Sequence, residues 1–265
     1  MGTLALGQAF GRVPQRWTAD SISLAPVVHD HARVNDAHAH EAACVLLMLE
    51  GDYRETAALR SVRYERFTAV YHPPGIEHQD VIGAPGVRLL VFEFRPDLFE
   101  GADTNRSKFR SLRDVTGSRA AWDLLNLYRI APHSDPLDFE ARALQLITAI
   151  APLARDIPRD LPSAQRAREY LDANFRRPGT MADLARAASA HPVYLGQMFH
   201  RHFGETVADY VKRLRVRAAA EQLSSSDLPL AEIAFEHGFC DQSHFHRVFK
   251  KFAGVTPAEF RREFS

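Results

Sequence analysis

Apolar residues recur at two different periods along this chain, and the change of period divides it. From about Ile22 to Phe94 they come in short runs, VLLMLEGDYRE, FTAVYHPPG and VRLLVFEF after GAPG, separated by turn residues that mark them as strands. Several strands at such short intervals predict a small β-barrel or jelly roll around a central cavity. Beyond Phe94 the period lengthens to that of a helix. SRAAWDLLNLYRI (118–130) carries a stripe through Trp122, Leu125 and Tyr128; LDFEARALQLITAIAPLARD (137–156) carries one through Leu144, Ile147, Ile150 and Ala151. Such helices would pack on the barrel or pair with a second copy. DIPRDLPS (156–163) then breaks the periodicity with two prolines and reads as a domain boundary. The fold class predicted is α+β in two domains, 1–157 and 158–265, the second all-α.

The second domain opens with AQRAREYLDANFR, a supporting helix. Its plainest stretch is Leu228 to Arg262. There Leu230, Ile233 and Ala234 share one helical face, and Gly238 stands where positive φ would end the helix. Phe239 turns inward and Asp241 can cap a second helix. That helix buries Phe245, Val248, Phe249 and Phe252 at i, i+3, i+4 and i+7 and leaves Gln242, Ser243, His246, Arg247 and Lys250 on its free face. The same layout stands fifty residues earlier. Leu195, Phe199, Gly204, Thr206 and Tyr210 are spaced as Phe245, Phe249, Gly254, Thr256 and Phe260 are, while Ala185 matches Ala234 one residue out of register. A repeat of this kind identifies two helix-turn-helix units in one chain. Between them ETVADYVKRLRVRAAAEQL reads as a helix of about nineteen residues, a strut of about 28 Å. Major-groove segments on one face of B-DNA repeat at about 34 Å, so helices held on such a strut can enter successive grooves.

Composition adds little to this. Lys plus Arg and Asp plus Glu are both 33 in 265 residues, but 163–265 holds 15 basic against 12 acidic residues, a mild excess of the sign that nucleic acid attracts. The two cysteines, Cys44 and Cys240, are far apart and read as reduced core or turn residues. No apolar run approaches the roughly 18 to 20 residues of a membrane span, and MGTLALGQAFGRVPQRW lacks a basic stretch before a long apolar core. A cytoplasmic protein without a membrane partner is expected.

IAFEHGF, SHFHRVFKKFAGVTPAEFRR and the earlier YLGQMFHRHFGETVADYV resemble the tandem helix-turn-helix domain of AraC-type (AraC/XylS) transcriptional regulators, over roughly the last hundred residues. The first unit departs from that pattern, with Ser189 and Ala190 in its turn and the weakly charged HPVYLGQ opening its second helix. In the N-terminal half, HAH (38–40) with Glu50-Gly51, and PPGIEH (73–78), resemble the two motifs of the cupin barrel, the usual sensor of that regulator family. The acidic residue that should follow the first motif is absent, and Cys44 and Val45 stand there.

In the second unit, Gln242 and Ser243 lie where side chains reach base edges, with His246 and Arg247 a turn further on. Arg pairs bidentately with guanine and Gln with adenine, while Lys250 and Lys251 suit phosphate. In the first unit the equivalent positions are Val193, Gly196 and Gln197, with His200 and Arg201 towards the backbone; Val and Gly can read only a thymine methyl or groove shape. Arg213, Arg215 and Arg217 look like a phosphate patch, although the resemblance puts Arg215 and Ala219 at a packed seam. His38 and His40 share a strand face and His78 could join them, either as ligands of a divalent ion such as Zn, Fe, Mn or Ni or as the lining of an effector pocket. The leading reading is a sequence-specific regulator controlled by a small-molecule effector in the barrel, with promoter DNA and RNA polymerase as partners and a homodimer left open. The rival is a metal-dependent cupin enzyme, a dioxygenase or isomerase, with an accessory helical domain. A DNA-repair alkyl acceptor would need a cluster of reactive cysteines, and this chain has two.

Overall fold

The computed structural model describes residues 2–57, 60–99, 113–115, 118–154 and 162–265. The chain forms two compact units: Met1–Thr116 with Ala120–Asp156, and Ile157–Ser265 with the short piece Gly117–Arg119.

The first unit is built on three long strands, β3 (Ile22–His29), β6 (Ala43–Ala57) and β9 (Gln79–Phe94). With β2 (Trp17–Ala19), β4 (Arg33–Val34), β7 (Arg60–Tyr64), β8 (Ala69–His72) and β10 (Arg113–Asp114) they make an eight-stranded sheet in the order β10-β8-β6-β9-β3-β2, with β4 on β9 and β7 on β6. Among the described strands no pairing joins the ends of that path, so the sheet is open, where the sequence suggested a small β-barrel or jelly roll. A separate parallel pair joins β1 (Gly2–Leu4) to β5 (His38–His40). Ala43 to Leu49 is buried without alternation because both sheet faces are covered. Register puts Val45 opposite Phe92 and Leu47 opposite Leu90 on one face, with Cys44 opposite Glu93 and Leu46 opposite Val91 on the other.

GAPG, expected as a break between strands, lies inside β9. Gly86 there has φ +74, and a Cβ on it would stand 2.1 Å from the His29 carbonyl oxygen, so the glycine permits close backbone approach while the strand continues. Two register shifts in β6, at Met48/Glu50 and Gly51/Tyr53, let it follow the bend.

Helix α1 (Arg119–Ile130) buries Ala120, Ala121, Trp122, Leu124, Leu125 and Leu127. Its Trp122 ring stacks on Phe67 at 6.5 Å and its Tyr128 ring meets Trp17 edge-on at 5.8 Å, so α1 packs on the sheet. Helix α2 (Pro136–Ala154) buries Phe139, Ala143, Leu146, Ile147 and Ile150. Of the expected stripe Ile147 and Ile150 are buried, Leu144 is on the outside, and the side chain of Ala151 is outside the described residues. Most of the Pro-containing boundary at 156–163 is also outside them.

The second unit is helical throughout its described residues: α3 (Pro162–Asn174), α4 (Met181–Ala187), α5 (Pro192–Phe203), α6 (Val207–Leu223), α7 (Leu230–Glu236), α8 (Gln242–Ala253) and α9 (Pro257–Phe264). The repeat extends to the caps. Gly204 and Gly254 end α5 and α8 at φ 73 and φ 76; Thr206 and Thr256 start α6 and α9 by accepting from the backbone N–H of Asp209 and Glu259. The turn between α7 and α8 has Gly238 at φ +78, and its counterpart between α4 and α5 is Ser189 at φ 51, a non-glycine residue in the left-handed region. Around α6, Leu184, Ala185, Leu195 and Phe199 close one core. Phe245, Phe249, Phe260 and Phe264 form a chain of aromatic contacts at 4.6–5.5 Å in the other.

A Cβ at Gly238 would lie 2.4 Å from the Arg176 carbonyl oxygen and 3.0 Å from the Arg215 guanidinium carbon, in a conformation that itself costs an L residue about 1–2 kcal/mol. Gly238→Ala is expected to destabilise the protein by about 2 kcal/mol or more in thermal or urea unfolding. Ser189→Ala, which already has a Cβ in the same conformation, should stay within about 0.5 kcal/mol of the parent.

Candidate functional site

Helix α8 is amphipathic because its phenylalanines recur at helical spacing. Phe245, Phe249 and Ala253 are buried, while Gln242, Ser243, His246, Arg247 and Lys250 are all exposed on the other side. Asp241 caps the helix, its carboxylate accepting from the His244 N–H at 2.7 Å, and that hydrogen bond holds its carboxyl below the usual range. Among the described residues Arg247 has neither an ion-pair nor a hydrogen-bond partner, so a cation on an open helix face is available to an external anion or base. In the first helix-turn-helix pair of the C-terminal unit His191 caps α5, and Leu195 and Phe199 are buried. Val193, Gln197 and Arg201 are exposed, and Gly196 is half-buried with nothing within 4 Å of where a Cβ would stand.

The arginines of α6 do not form a phosphate patch. Arg213 is 1% exposed, pairs with Glu205 and stacks on Tyr210 at 4.6 Å; burial lowers its pKa and raises that of Glu205. Arg215 donates to the carbonyls of Phe175 (2.9 Å) and Arg176 (3.1 Å), and Arg217 pairs with Glu221 at 3.1 Å. Arg213 ties α6 to the preceding loop and Arg215 ties it to the chain past α3, whereas Arg217 meets Glu221 one turn along α6 itself. Asp183 is the N3 member of a capping box with Thr180.

In the first unit, the backbones of His38 and His78 bond to each other through two N–H to O contacts of 2.9 Å, which sets the two rings 4.3 Å apart. His40 stacks on His78 at 5.3 Å, so the three predicted histidines meet. They line a chamber of about 50 Å³ together with Phe10, Tyr53, His72 and Asp80. The sequence missed its carboxylates. Asp80 lies 3.7 Å from His38 Nε2 and 3.9 Å from His78 Nε2, and accepts from Tyr53 Oη (2.7 Å) and Asn35 Nδ2 (3.1 Å). Glu93 lies 3.8 Å from His40 Nδ1. Glu55 bonds His72 Nε2 at 2.9 Å and accepts from Tyr64 Oη at 2.7 Å. Position 80, two residues past His78, was the available signal for Asp80; Glu55 and Glu93 come close only through strand register.

Burial alone would raise the Glu55 carboxyl, but the charge and hydrogen bond of His72, with His78 and Tyr64, outweigh it and hold it at about 2. Burial would likewise lower His72, and the Glu55 charge drives it well above its ordinary value instead. For His78, burial and then the His72 charge bring the imidazole down to about 4. Two sets of side chains have ligand atoms within 4.8 Å of one another, His38 with His40 and His78, and Glu55 with His72 and His78. The donors fit a divalent ion best at the first set, since Glu55 and His72 already satisfy each other.

A helix-turn-helix domain family matches residues 184–263. The chain is 44% identical over 75 residues to the uncharacterized transcriptional regulatory protein YesN of Bacillus subtilis, covering 28% of this chain and 20% of that protein. It is 34% identical over 90 residues to the arabinose operon regulatory protein of Escherichia coli, covering 34% of this chain and 30% of that protein. The chain thus spans less than a third of either relative. Among solved structures, the C-terminal domain of AraT, a response regulator from Geobacillus stearothermophilus, aligns at 35% identity over 40% of this chain and 88% of that one, TM-score 0.37. ToxT from Vibrio cholerae aligns at 13% identity over 93% and 100%, TM-score 0.41. Among the described residues no helix is long and apolar enough to cross a membrane.

The Glu55–His72 pair has a definite pH signature. A carboxyl lowered from 4.5 to about 2 contributes stability above pH 4.5 that is lost as pH falls towards 2. A histidine raised above 6.5 contributes fully below pH 6.5 and loses its contribution as pH rises through its folded value. Glu55→Gln leaves His72 buried without its counter-charge and should cost about 3 kcal/mol at pH 6. It should also flatten the fall of melting temperature between pH 4.5 and 2, as differential scanning calorimetry across pH would record.

Proposed function

We propose that this chain, which belongs through its C-terminal helix-turn-helix region to the AraC-type regulators, is a sequence-specific transcription regulator controlled by an effector in its N-terminal unit. One observation carries the reading: two helix-turn-helix pairs with matching caps flank one continuous helix, and both second helices turn polar residues outward. Gln242, Ser243, His246 and Arg247 read bases from α8, and Lys250 holds phosphate. Gln197 is the main reader on α5, where Val193 and Gly196 allow close approach to the groove and Arg201 contacts the backbone. The N-terminal unit acts as a cupin-like sensor around His38, His40 and His78, spanning 1–157, with the DNA-binding domain at 158–265. Effector binding shifts the population of DNA-binding geometries. RNA polymerase is the downstream partner, the protein works in the cytoplasm, and two copies can pair.

The enzyme reading is the weaker of the two, because the family match at 184–263 is to a helix-turn-helix domain.

Duplexes selected from a random pool with the full chain supply the test. Arg247→Ala should weaken binding to the selected sequence by about 1–3 kcal/mol and relax preference at one base pair. Lys250→Ala should weaken all sequences alike and reduce the salt slope by about 1. Arg142→Ala, on the outside of α2, should change neither. Fluorescence anisotropy across a salt series measures all three, and an unchanged affinity for Arg247→Ala rejects its assigned role.

A further inference from the structure

We propose that the C-terminal unit has a ligand site of its own, a cleft walled by the chain just past α3, by α6 and by the end of α7. It takes a small zwitterion with the headgroup of an α-amino acid, whose carboxylate sits on Arg176 and whose ammonium sits on Glu236. Nothing in this site requires that α5 and α8 read DNA.

The cleft is open and about 500 Å³ in volume, within the range of small-molecule sites, and its lining includes Arg176, Glu221, Gln222, Ser225, Glu236 and His237. Its wall at Arg176 is held in place. The Arg176 carbonyl accepts from Arg215 Nη2 at 3.1 Å and occupies space that a Cβ on Gly238 would take, while its guanidinium carbon lies 4.8 Å from the centre of the Phe175 ring.

Two opposite charges share this cleft without meeting. Arg176 lowers the pKa of the His237 imidazole and Glu236 raises it, so both stand near the same ring. Among the described residues neither has an ion-pair partner, in each other or elsewhere. Glu221, by contrast, is taken up by Arg217 at 3.1 Å. A plain anion in the cleft would meet the Glu236 charge and a plain amine would meet that of Arg176, whereas a molecule bearing both signs satisfies both walls.

Hydrogen bonding fixes the remaining groups. A carboxylate only accepts, so the Gln222 amide turns its NH₂ to Glu236 and its carbonyl oxygen to His237 Nε2, 2.7 Å away. His237 therefore carries its hydrogen on Nε2 and a lone pair on Nδ1. Burial, then the Arg176 charge, brings this imidazole down to about 4, so the ring is neutral at pH 7. His237 is 4% exposed, and its Nδ1 is buried without a partner, an acceptor that is costly to leave unmade. An ammonium has three hydrogens to give and suits a free carboxylate and a bare lone pair together. A guanidinium fork suits the carboxylate at the other end of the same headgroup.

The probes are the twenty standard L-amino acids, each added to the full chain, with saturation-transfer NMR to find binders and calorimetric titration to measure them. At least one should bind at one equivalent with Kd of about 1 mM or tighter. For that amino acid, the amine lacking the carboxylate and the 2-hydroxy acid lacking the ammonium should each bind at least about tenfold more weakly. Arg176→Gln and Glu236→Gln, both at exposed positions, should each lower affinity at least about tenfold with circular dichroism and melting temperature unchanged. Arg177→Gln, at an exposed neighbour outside the lining, should bind as the parent does. The proposal is overturned if none of the twenty binds, if Arg176→Gln and Glu236→Gln leave binding unchanged, or if the 2-hydroxy acid binds as well as the amino acid.

Discussion

A single helix must be buried on several sides while carrying one lysine and three arginines, and the C-terminal unit is arranged around that constraint. Helix α6 gives Tyr210, Val211, Val216, Ala219, Ala220 and Leu223 to the surrounding cores. Its small residues at 218–220 let α7, α8 and α9 approach closely, and its N-terminal turns close the core beneath α5. Arg213 is tolerated inside because Glu205 and the Tyr210 face meet its charge, and Tyr210 Oη in turn bonds Asp172 of α3. An ion pair so placed is weak evidence for stability but strong evidence for a fixed arrangement, since separating its members strands a charge in the interior. Arg215 satisfies two carbonyls just past the end of α3, in the same place where Gly238 makes its turn. The seam between the helical pairs is therefore fastened by guanidinium groups as well as by apolar packing.

The C-terminal unit was legible in the sequence because its signals are local. Apolar residues at i and i+4, a left-handed glycine after α5 and after α8 and a threonine two residues later each specify a nearby backbone conformation, and they recur fifty residues apart. The fate of the α6 arginines was not legible, since sequence gives charge but not burial. In the N-terminal unit, two register shifts along β6 break the alternation that would have shown which way Glu55 points, so its meeting with His72 could not be read from period two. Gly86 misled in the opposite sense: GAPG has the composition of a turn, yet the left-handed residue there lets two strand backbones approach. In α2 apolar residues occupy more than one face, and Leu146 displaced Leu144 from the core.

The chamber shows how unlike neighbours divide their roles. Glu55 and His72 are a closed pair, with the Tyr64 hydroxyl completing the carboxylate, and they contribute to stability whatever the chamber holds. Asp80 and Glu93 stand on the same strand, near its two ends, and each faces imidazoles at a distance too long for a hydrogen bond. Strand β9 also pairs with β3, β4 and β6, so both carboxylates stand on the strand with the most neighbours in the described sheet.

The 17 residues of α6 form one unbroken helix of about 26 Å, without a proline or glycine at which it could bend. With α5 and α8 as the proposed reading heads, mounting on such a rod gives them a fixed phase. Inserting one base pair between the half-sites of a duplex turns one groove about 34° away from the other, and α6 itself has no proline or glycine at which to bend and follow. On the proposed reading, binding should therefore depend on the spacing of the two half-sites, and a half-turn insertion should leave only one head engaged.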